Sequence, residues 1–334
     1  MKVFSRDWKK KVTTESELSE IEKCNLRGSR LGDDLGLFQA IRHGTARIAE
    51  RQSFPGRPPK SFRILMKTLL YYFTGTGNSL AIVKGLCTRL GGCELVPVAS
   101  AVKTSGPITP VADRVGIVSP LYFFGLPSIV ADFSRRLDLA KVSYAFAVIT
   151  MGGAGGTAAL RQLDEILNGG SGSRRLEAGF AVKMPGNYIV MYGSLEKKSI
   201  EKTLLEAERR VEEIADRVNR GVREKPSWSP FAALVHHLMY PRFIAGVHDA
   251  DRKFTVDDRC TACGTCAEVC PVENIQLVEG RPTWLHHCEQ CMACIQLCPT
   301  RAIQAGPKTE GRERYRHPGI EIGMLKGQGG GGKG

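Results

Sequence analysis

The chain has 334 residues, a formal net charge of +13 and 42% hydrophobic residues, which predicts two globular domains rather than a disordered or fibrous chain. Its apolar stretches are too short for a membrane span, and residues 1–30 lack the apolar core of a signal peptide. We therefore expect no membrane insertion and a cytoplasmic location. Basic chains often bind nucleic acid, but the cations of residues 198–217 alternate with glutamates as on a solvated helix face, so we expect no nucleic-acid partner.

Residues 1–65 show no clear pattern of folded elements. They are polar and end in a stretch containing proline and glycine, residues 54–59. We interpret 1–65 as a disordered leader, or as sequence upstream of a natural start at Met66.

Residues 66–225 alternate short apolar runs with segments of helical periodicity. The predicted strands are 69–73, 94–98, 115–119, 145–151 and 179–184, and the predicted helices are 79–90, 128–137, 157–167 and 200–218. This alternation predicts a parallel sheet covered on both faces. Ligands of such folds bind beyond the carboxyl ends of the strands, so the loops there are the candidate site.

The loop after the first strand has the composition of a phosphate site. Backbone N–H groups, hydroxyl groups and the N-terminus of the following helix all suit an anion. The loop has neither a P-loop lysine nor G-x-G-x-x-G, which disfavours ATP and NAD; a plain turn with a helix cap is the alternative. The candidate phosphate-binding residues are Thr74, Gly75, Thr76, Gly77, Asn78 and Ser79.

This loop resembles the FMN-phosphate loop of flavodoxins, T-x-T-G-x-[ST], which directly follows the first strand. A second loop is similar to the flavodoxin loop that lies against the isoalloxazine ring, and Tyr122 or Phe123 would stack on that ring, unless both are ordinary core residues. The resemblance implies an α/β flavodoxin-like, doubly wound five-stranded parallel sheet of order 2-1-3-4-5, with FMN at the switch point. The candidate residues of the second loop are Pro120, Leu121, Tyr122, Phe123, Phe124 and Gly125.

A third loop differs from many flavodoxins, which place an aromatic residue there. Its glycines suggest that the backbone approaches the polar edge of the ring and that one flavin face is less covered. We interpret the following loop, residues 185–188, either as a further edge contact or as a plain connection. The candidate residues of the third loop are Met151, Gly152, Gly153, Ala154 and Gly155.

Residues 226–252 are predicted to form a helical linker. Its large apolar residues have helical spacing and are expected to dock on one of the modules; they are Phe231, Leu234, Val235 and Leu238. We interpret the histidine pairs at 236–237 and 286–287 as structural rather than as metal ligands.

Eight cysteines form two runs of the pattern C-x-x-C-x-x-C-x-x-x-C-P, offset by 28 residues. This is the ligand pattern of bacterial [4Fe–4S] ferredoxins. One tight loop can supply three thiolates to a cubane cluster, and the fourth must come from elsewhere, so the last cysteine of each run is assigned to the other cluster. The two sets are Cys260, Cys263, Cys266 with Cys298, and Cys288, Cys291, Cys294 with Cys270.

Other uses of these cysteines fit the spacing less well. Zinc ribbons use C-x-x-C pairs with a longer spacer, and nothing marks the chain as secreted, which disfavours a disulfide framework. Residues 253–306 are therefore predicted to be a small α+β ferredoxin-like domain with two clusters. The remaining Cys24, Cys87 and Cys93 are expected to be free thiols. Residues 307–334 are basic and glycine-rich, so we expect a disordered tail.

Residues 66–306 together resemble bacterial flavodoxin–ferredoxin fusion proteins. The resemblance implies FMN and two [4Fe–4S] clusters as cofactors, and electron transfer to or from a redox partner protein. No acid, base or nucleophile constellation stands out, which favours a carrier over an enzyme. The alternative is a flavin-dependent reductase of a small molecule whose clusters relay electrons. A binding module with vestigial cofactor sites is a third interpretation.

Overall fold

The computed structural model of the chain describes residues 66–169, 175–193, 196–227 and 229–330, all within one compact unit. The leader predicted over 1–65 and the thiol of Cys24 lie outside the described residues. Within the described ranges, no helix is both long and apolar enough to cross a membrane.

Residues 66–225 contain a parallel sheet of order β2-β1-β3-β4-β5, which confirms the predicted topology. Its strands are β1 (Thr68–Tyr72), β2 (Glu94–Pro97), β3 (Arg114–Pro120), β4 (Tyr144–Met151) and β5 (Ala178–Lys183). Its helices are α1 (Asn78–Arg89), α2 (Val98–Ala101), α3 (Ser128–Arg136), α4 (Gly156–Gly169) and α5 (Lys197–Asn219).

Both faces of the sheet are buried, which explains why β1 is apolar throughout. Leu70 and Tyr72 pack into the core beneath α1 and α5, whereas Leu69 and Tyr71 pack into the core beneath α3 and α4. Successive strand side chains point to opposite faces, so a strand between two helical layers needs apolar residues at every position. The carboxyl ends of β1, β3 and β4 consequently meet at one edge.

Residues 253–306, called the second module, consist of two similar halves. The halves are offset by the 28 residues that separate the two cysteine runs. Strands β6 (Phe254–Val256) and β9 (Ile303–Ala305) pair antiparallel, and β7 (Ile275–Val278) pairs antiparallel with β8 (Arg281–Trp284). In each half, the loop that carries the first cysteines of the run leads into a short helix. These helices are α7 (Thr265–Glu268) and α8 (Ala293–Gln296). The left-handed residues of the two loops also correspond, since Ala262 (φ 55°) matches Gln290 (φ 48°) and Gly264 (φ 75°) matches Met292 (φ 63°). Equivalent backbone turns therefore present both sets of thiols.

The linker contains a helix, α6 (Pro230–Ala245), followed by a 3-10 turn, His248–Lys253, but the helix docks through another face than the sequence predicted. Phe231, Leu234 and Leu238 are exposed, so the docking expected of them is wrong. The buried positions are Ala232 and Tyr240. A helix that is apolar on all sides carries no periodic signal that selects the face to be buried.

The expectation of a disordered tail is wrong for residues 307–330. This segment contains two 3-10 turns, Pro307–Thr309 and Ile322–Leu325, and it buries Tyr315, Ile320 and Leu325. Ile320 and Leu325 belong to the core beneath α1 and α5. Glycine-rich composition predicts disorder only while a segment has nothing to pack against.

Cys87 and Cys93 are joined by a disulfide, so the prediction that both are free thiols is wrong. Cys87 lies near the end of α1 and Cys93 just before β2, and their Cα atoms are 5.3 Å apart. That separation lies within the range that a disulfide requires. The tight turn between helix and strand brings the two residues together.

Candidate cofactor sites

A cavity of about 410 Å³ lies where β1, β3 and β4 end, a size typical of small-molecule sites. All three predicted loops line it, but Gly77, Gly125 and Gly155 do not. The predicted residues on its wall are Thr74, Gly75, Thr76, Asn78, Ser79, Pro120, Leu121, Tyr122, Phe123, Phe124, Met151, Gly152, Gly153 and Ala154.

The phosphate loop keeps hydroxyl protons available to an acceptor in the cavity. Thr74 Oγ1 accepts a hydrogen bond from Gly77 N at 3.1 Å, and Thr76 Oγ1 accepts one from Asn187 Nδ2 at 2.6 Å. A hydroxyl group that accepts through its oxygen can still donate its proton. The first intrahelical bond of α1 runs from Ala81 N to Gly77 O, so the N–H groups before it face out of the helix N-terminus. These donors fit an anionic phosphate group.

Aromatic side chains from three parts of the chain form another wall. The rings of Phe123 and Phe243 stack with centroids 4.4 Å apart, and Tyr188 meets Phe123 edge-on at 5.9 Å. Tyr122 meets Phe243 edge-on at 6.1 Å, and burial raises its pKa well above the usual value, so its hydroxyl stays protonated. The planar, apolar surface suits a ring system.

Two glycines of the third loop lie so close to neighbouring residues that a side chain would not fit without rearrangement. A Cβ on Gly155 would lie 2.4 Å from the Phe124 ring, and one on Gly152 would lie 3.0 Å from Gly186 Cα. The side chains that close this end of the cavity come instead from residues 188–192 and from α6. The large side chains at this end of the cavity thus come from residues distant from the third loop.

Several residues of the cavity wall lie outside the three predicted loops. For residues 185–188 the sequence allows both a further edge contact and a plain connection, and the aromatic composition of α6 is the one signal that points to Phe243. Thr150 and Met184 directly precede the third loop and loop 185–188, whereas the wall residues from 191–192, from α6 and from the cysteine loop carry no local signal, because they reach the cavity by long-range packing. The additional wall residues are Thr150, Met184, Pro185, Asn187, Tyr188, Met191, Tyr192, Met239, Phe243, Gln290, Cys291 and Met292.

One set of cysteine thiols lies deep inside the protein, beside the cavity. Burial raises the pKa of Cys288 to about 12 and the pKa values of Cys291 and Cys294 well above the usual range, and the Cys270 thiol adds to each shift. The Cys270 thiol therefore lies near the other three thiols. Such thiols ionise only when a bound cation compensates the thiolate charge. The group Cys270, Cys288, Cys291 and Cys294 is called the inner set.

The other set lies nearer the surface. Cys263 is exposed and Cys266 is buried; burial raises the pKa of Cys266 to about 11, and the Cys298 thiol contributes. Arg314 lies close to Cys298 and Cys294. Its buried Nε and Nη1 atoms have no hydrogen-bond partner among the described residues, so they are donors that suit the sulfur atoms of a cluster. The group Cys260, Cys263, Cys266 and Cys298 is called the outer set.

The inner cysteine loop contacts the phosphate loop directly. A Cβ on Gly75 would lie 2.1 Å from the carbonyl oxygen of Cys291, so only glycine fits there. Tyr188 OH also donates to Gln290 Oε1 at 2.7 Å on the cavity wall. The wall of the cavity therefore includes a cysteine of the inner set.

Glu289 fixes the inner cysteine loop to residues 66–225, called the sheet module. Its side chain is buried, and it accepts hydrogen bonds from Ser128 Oγ at 2.5 Å and from Ile129 N at 3.3 Å. These donors form the N-terminus of α3, where a carboxylate is favoured. Burial nevertheless raises the pKa of Glu289.

Three of the four paired histidines take part in hydrogen bonds with the surrounding protein. His236 Nδ1 lies 2.9 Å from Phe124 O, His286 Nδ1 lies 2.7 Å from Asp251 Oδ1, and His287 Nε2 lies 3.0 Å from Val272 O. Within the described ranges, no three His, Cys, Asp or Glu side chains are close enough to hold a single metal ion.

Comparison with known proteins identifies the second module. Residues 259–303 match the family model of the 4Fe-4S dicluster domain. No curated protein matches the chain.

Several solved structures are similar to the sheet module. A short-chain flavodoxin associated with a bacterial microcompartment is 14% identical; the match covers 45% of this chain and 93% of that one, with a TM-score of 0.30. A Streptococcus pneumoniae flavodoxin is 16% identical, with 45% and 98% covered and a TM-score of 0.28. A Lactobacillus acidophilus flavoprotein in complex with FMN is 12% identical, with 35% and 93% covered and a TM-score of 0.28. The assignment of the fold rests on the sheet order, not on these low scores.

The sheet order defines a flavodoxin-like module, and the family match defines an iron–sulfur module with two [4Fe–4S] clusters. The chain is a fusion of these two kinds of module.

Proposed function

We propose that the protein transfers electrons between FMN, held in the cavity, and the two [4Fe–4S] clusters, and exchanges them with a redox partner protein. The observation that carries this proposal is the shared wall, on which Cys291 of the inner set lies against Gly75 of the phosphate loop. FMN can take up two electrons and release them singly, whereas each cluster carries one.

The residues of the cavity suit the parts of FMN. Thr74, Thr76, Ser79 and the N-terminus of α1 would hold the phosphate. Tyr122 and Phe123 would contact the ring from the second loop, and residues 151–154 would contact its polar edge through backbone groups.

The positions of the two cysteine sets support an order of transfer. The inner set would hold the cluster beside the flavin, and the outer set, with exposed Cys263, would hold the cluster that a partner protein reaches. The proximity of Cys270 to the other inner thiols supports the crossed ligand assignment. The cytoplasmic location stays a prediction.

Anaerobic purification with quantified cofactors tests this function. We expect about one FMN and about eight iron atoms per chain. Stopped-flow mixing with a reduced low-potential carrier protein should reduce clusters and flavin together. Zinc in place of iron, or protein that does not retain FMN, would overturn the proposal.

A reductase acting on a small molecule is the second candidate. Met191, Tyr192 and Met239 are exposed and also line the cavity, so an apolar compound can approach from this side. Steady anaerobic turnover of a small organic acceptor, without any partner protein, would favour the reductase over the carrier.

A further inference from the structure

We infer that residues 312–320, called the strap, order the phosphate loop and make the cavity select a flavin that carries a phosphate group. This inference rests on the proposed FMN site. The strap lies in the tail that composition predicted to be disordered. Its contacts are therefore seen in the folded chain and are not predicted by the sequence.

The strap contacts the phosphate loop at three successive residues. His317 N donates to Thr76 O at 2.9 Å. Tyr315 OH donates to Asn78 Oδ1 at 2.7 Å. A Cβ on Gly77 would lie 3.0 Å from Ile320 Cβ, and Gly77 has a φ of +98°, which favours glycine.

The described wall of the cavity does not include strap residues, so the strap acts on a ligand through the loop. Asn78 is the first residue of α1, and both ends of its amide are fixed. Its Oδ1 accepts from Tyr315, and its Nδ2 donates to Pro185 O at 3.0 Å. This arrangement sets the direction of the first N–H groups of α1, which would face the phosphate.

A chain of hydrogen bonds anchors the strap on the iron–sulfur module. Gln296, the last residue of α8, accepts a hydrogen bond from Tyr315 N at 2.8 Å and donates one to Asn187 O at 2.7 Å. Asn187 in turn donates to Thr76 Oγ1 at 2.6 Å. The loop is therefore ordered from two directions before any ligand binds.

The order of the phosphate loop should affect the affinity only of ligands that bind to this loop. A phosphate group that binds a loosened loop must first order it, and that entropy lowers affinity. Riboflavin has the same ring system without the phosphate. Losing a strap contact should therefore weaken FMN binding and leave riboflavin binding unchanged.

The test compares Tyr315→Phe with a matched control, Tyr144→Phe. Tyr144 is also buried, and its hydroxyl donates to the backbone oxygen of Val222 at 2.6 Å, outside the cavity. Ile320→Val, which removes one methyl group beside Gly77, provides a second and milder strap variant. Iron content and the circular dichroism spectrum establish that each variant is folded with its clusters.

Dissociation constants of FMN and riboflavin are measured by anaerobic fluorescence titration of cluster-loaded, deflavinated protein. We expect Tyr315→Phe to weaken FMN binding about tenfold and riboflavin binding less than about twofold. Tyr144→Phe should change neither. Equal weakening of both flavins, or no change in either, overturns the role of the strap while leaving the FMN site intact. Wild-type protein that binds neither flavin overturns the FMN site itself, and the strap inference with it.

Discussion

Replacing Glu289 with alanine tests how the inner cysteine loop is held against the sheet module. The side chain is only 4% exposed, and it satisfies Ser128 Oγ and Ile129 N at the start of α3. Hydrogen bonds to a charged group contribute about 1.5–3 kcal/mol each, and a carboxylate at a helix N-terminus adds about 0.3–1 kcal/mol. Burying the carboxyl group offsets part of this gain, since burial raises its pKa. We therefore expect Glu289→Ala to lower the free energy of unfolding by about 3 kcal/mol.

Thermal unfolding, followed by circular dichroism under anaerobic conditions at one heating rate, measures this loss. A chain of this size loses about 2–4 °C in Tm per kcal/mol, so Tm should fall by about 6–12 °C. Glu165→Ala is the matched control, because Glu165 forms an exposed ion pair with Arg161, and such pairs contribute less than about 1 kcal/mol. The reasoning is refuted when Glu289→Ala melts within about 2 °C of wild type, or no lower than the control.

Three further predictions concern the two sites and the strap. Gly75→Ala should weaken FMN binding at least about tenfold, because its Cβ would meet Cys291 O, whereas Gly169→Ala, at the end of α4 and outside the cavity, should be neutral, since nothing lies within 4 Å of a Cβ there; equal flavin affinities would contradict the packing argument. Cys298→Ala should remove the outer cluster and about half of the iron, and loss of the inner EPR signal alone would contradict the crossed assignment. Burial and the Arg316 charge lower the pKa of His317 from 6.5 to about 4. As the pH falls, His317 is therefore protonated in the unfolded chain before it is protonated in the folded chain. The free energy of unfolding consequently decreases as the pH drops from 6.5 towards 4. Relative to His317→Gln, wild type should lose about 1 kcal/mol between pH 8 and pH 5.5 in urea unfolding, and parallel pH profiles would count against this.

The sheet module was predictable because each of its signals is local. A strand buried on both faces is a short, continuous apolar run, and β1 and β4 both have this form. No end of a predicted strand differs from the observed end by more than one residue. The phosphate loop and the cysteine runs are equally local, since each is read from consecutive residues.

The rest of the site was not predictable because it depends on contacts between distant residues. Tyr188, Phe243 and Gln290 reach the cavity from a loop, the linker helix and the cysteine loop. The linker helix is apolar on all sides, so periodicity could not show that Phe231 faces outward. The strap shows no local tendency to fold, and its order comes from the loop and the helix that it contacts.

The rate of electron transfer within one chain tests the central claim most directly. A photochemical one-electron reductant is fired at anaerobic holoprotein, and the cluster and flavin absorbances are followed at several protein concentrations. The adjacency of Cys291 and the phosphate loop predicts that the clusters are reoxidised as FMN is reduced, with a first-order rate that does not depend on protein concentration. A rate proportional to protein concentration, or clusters that stay reduced while the flavin stays oxidised, would contradict the account.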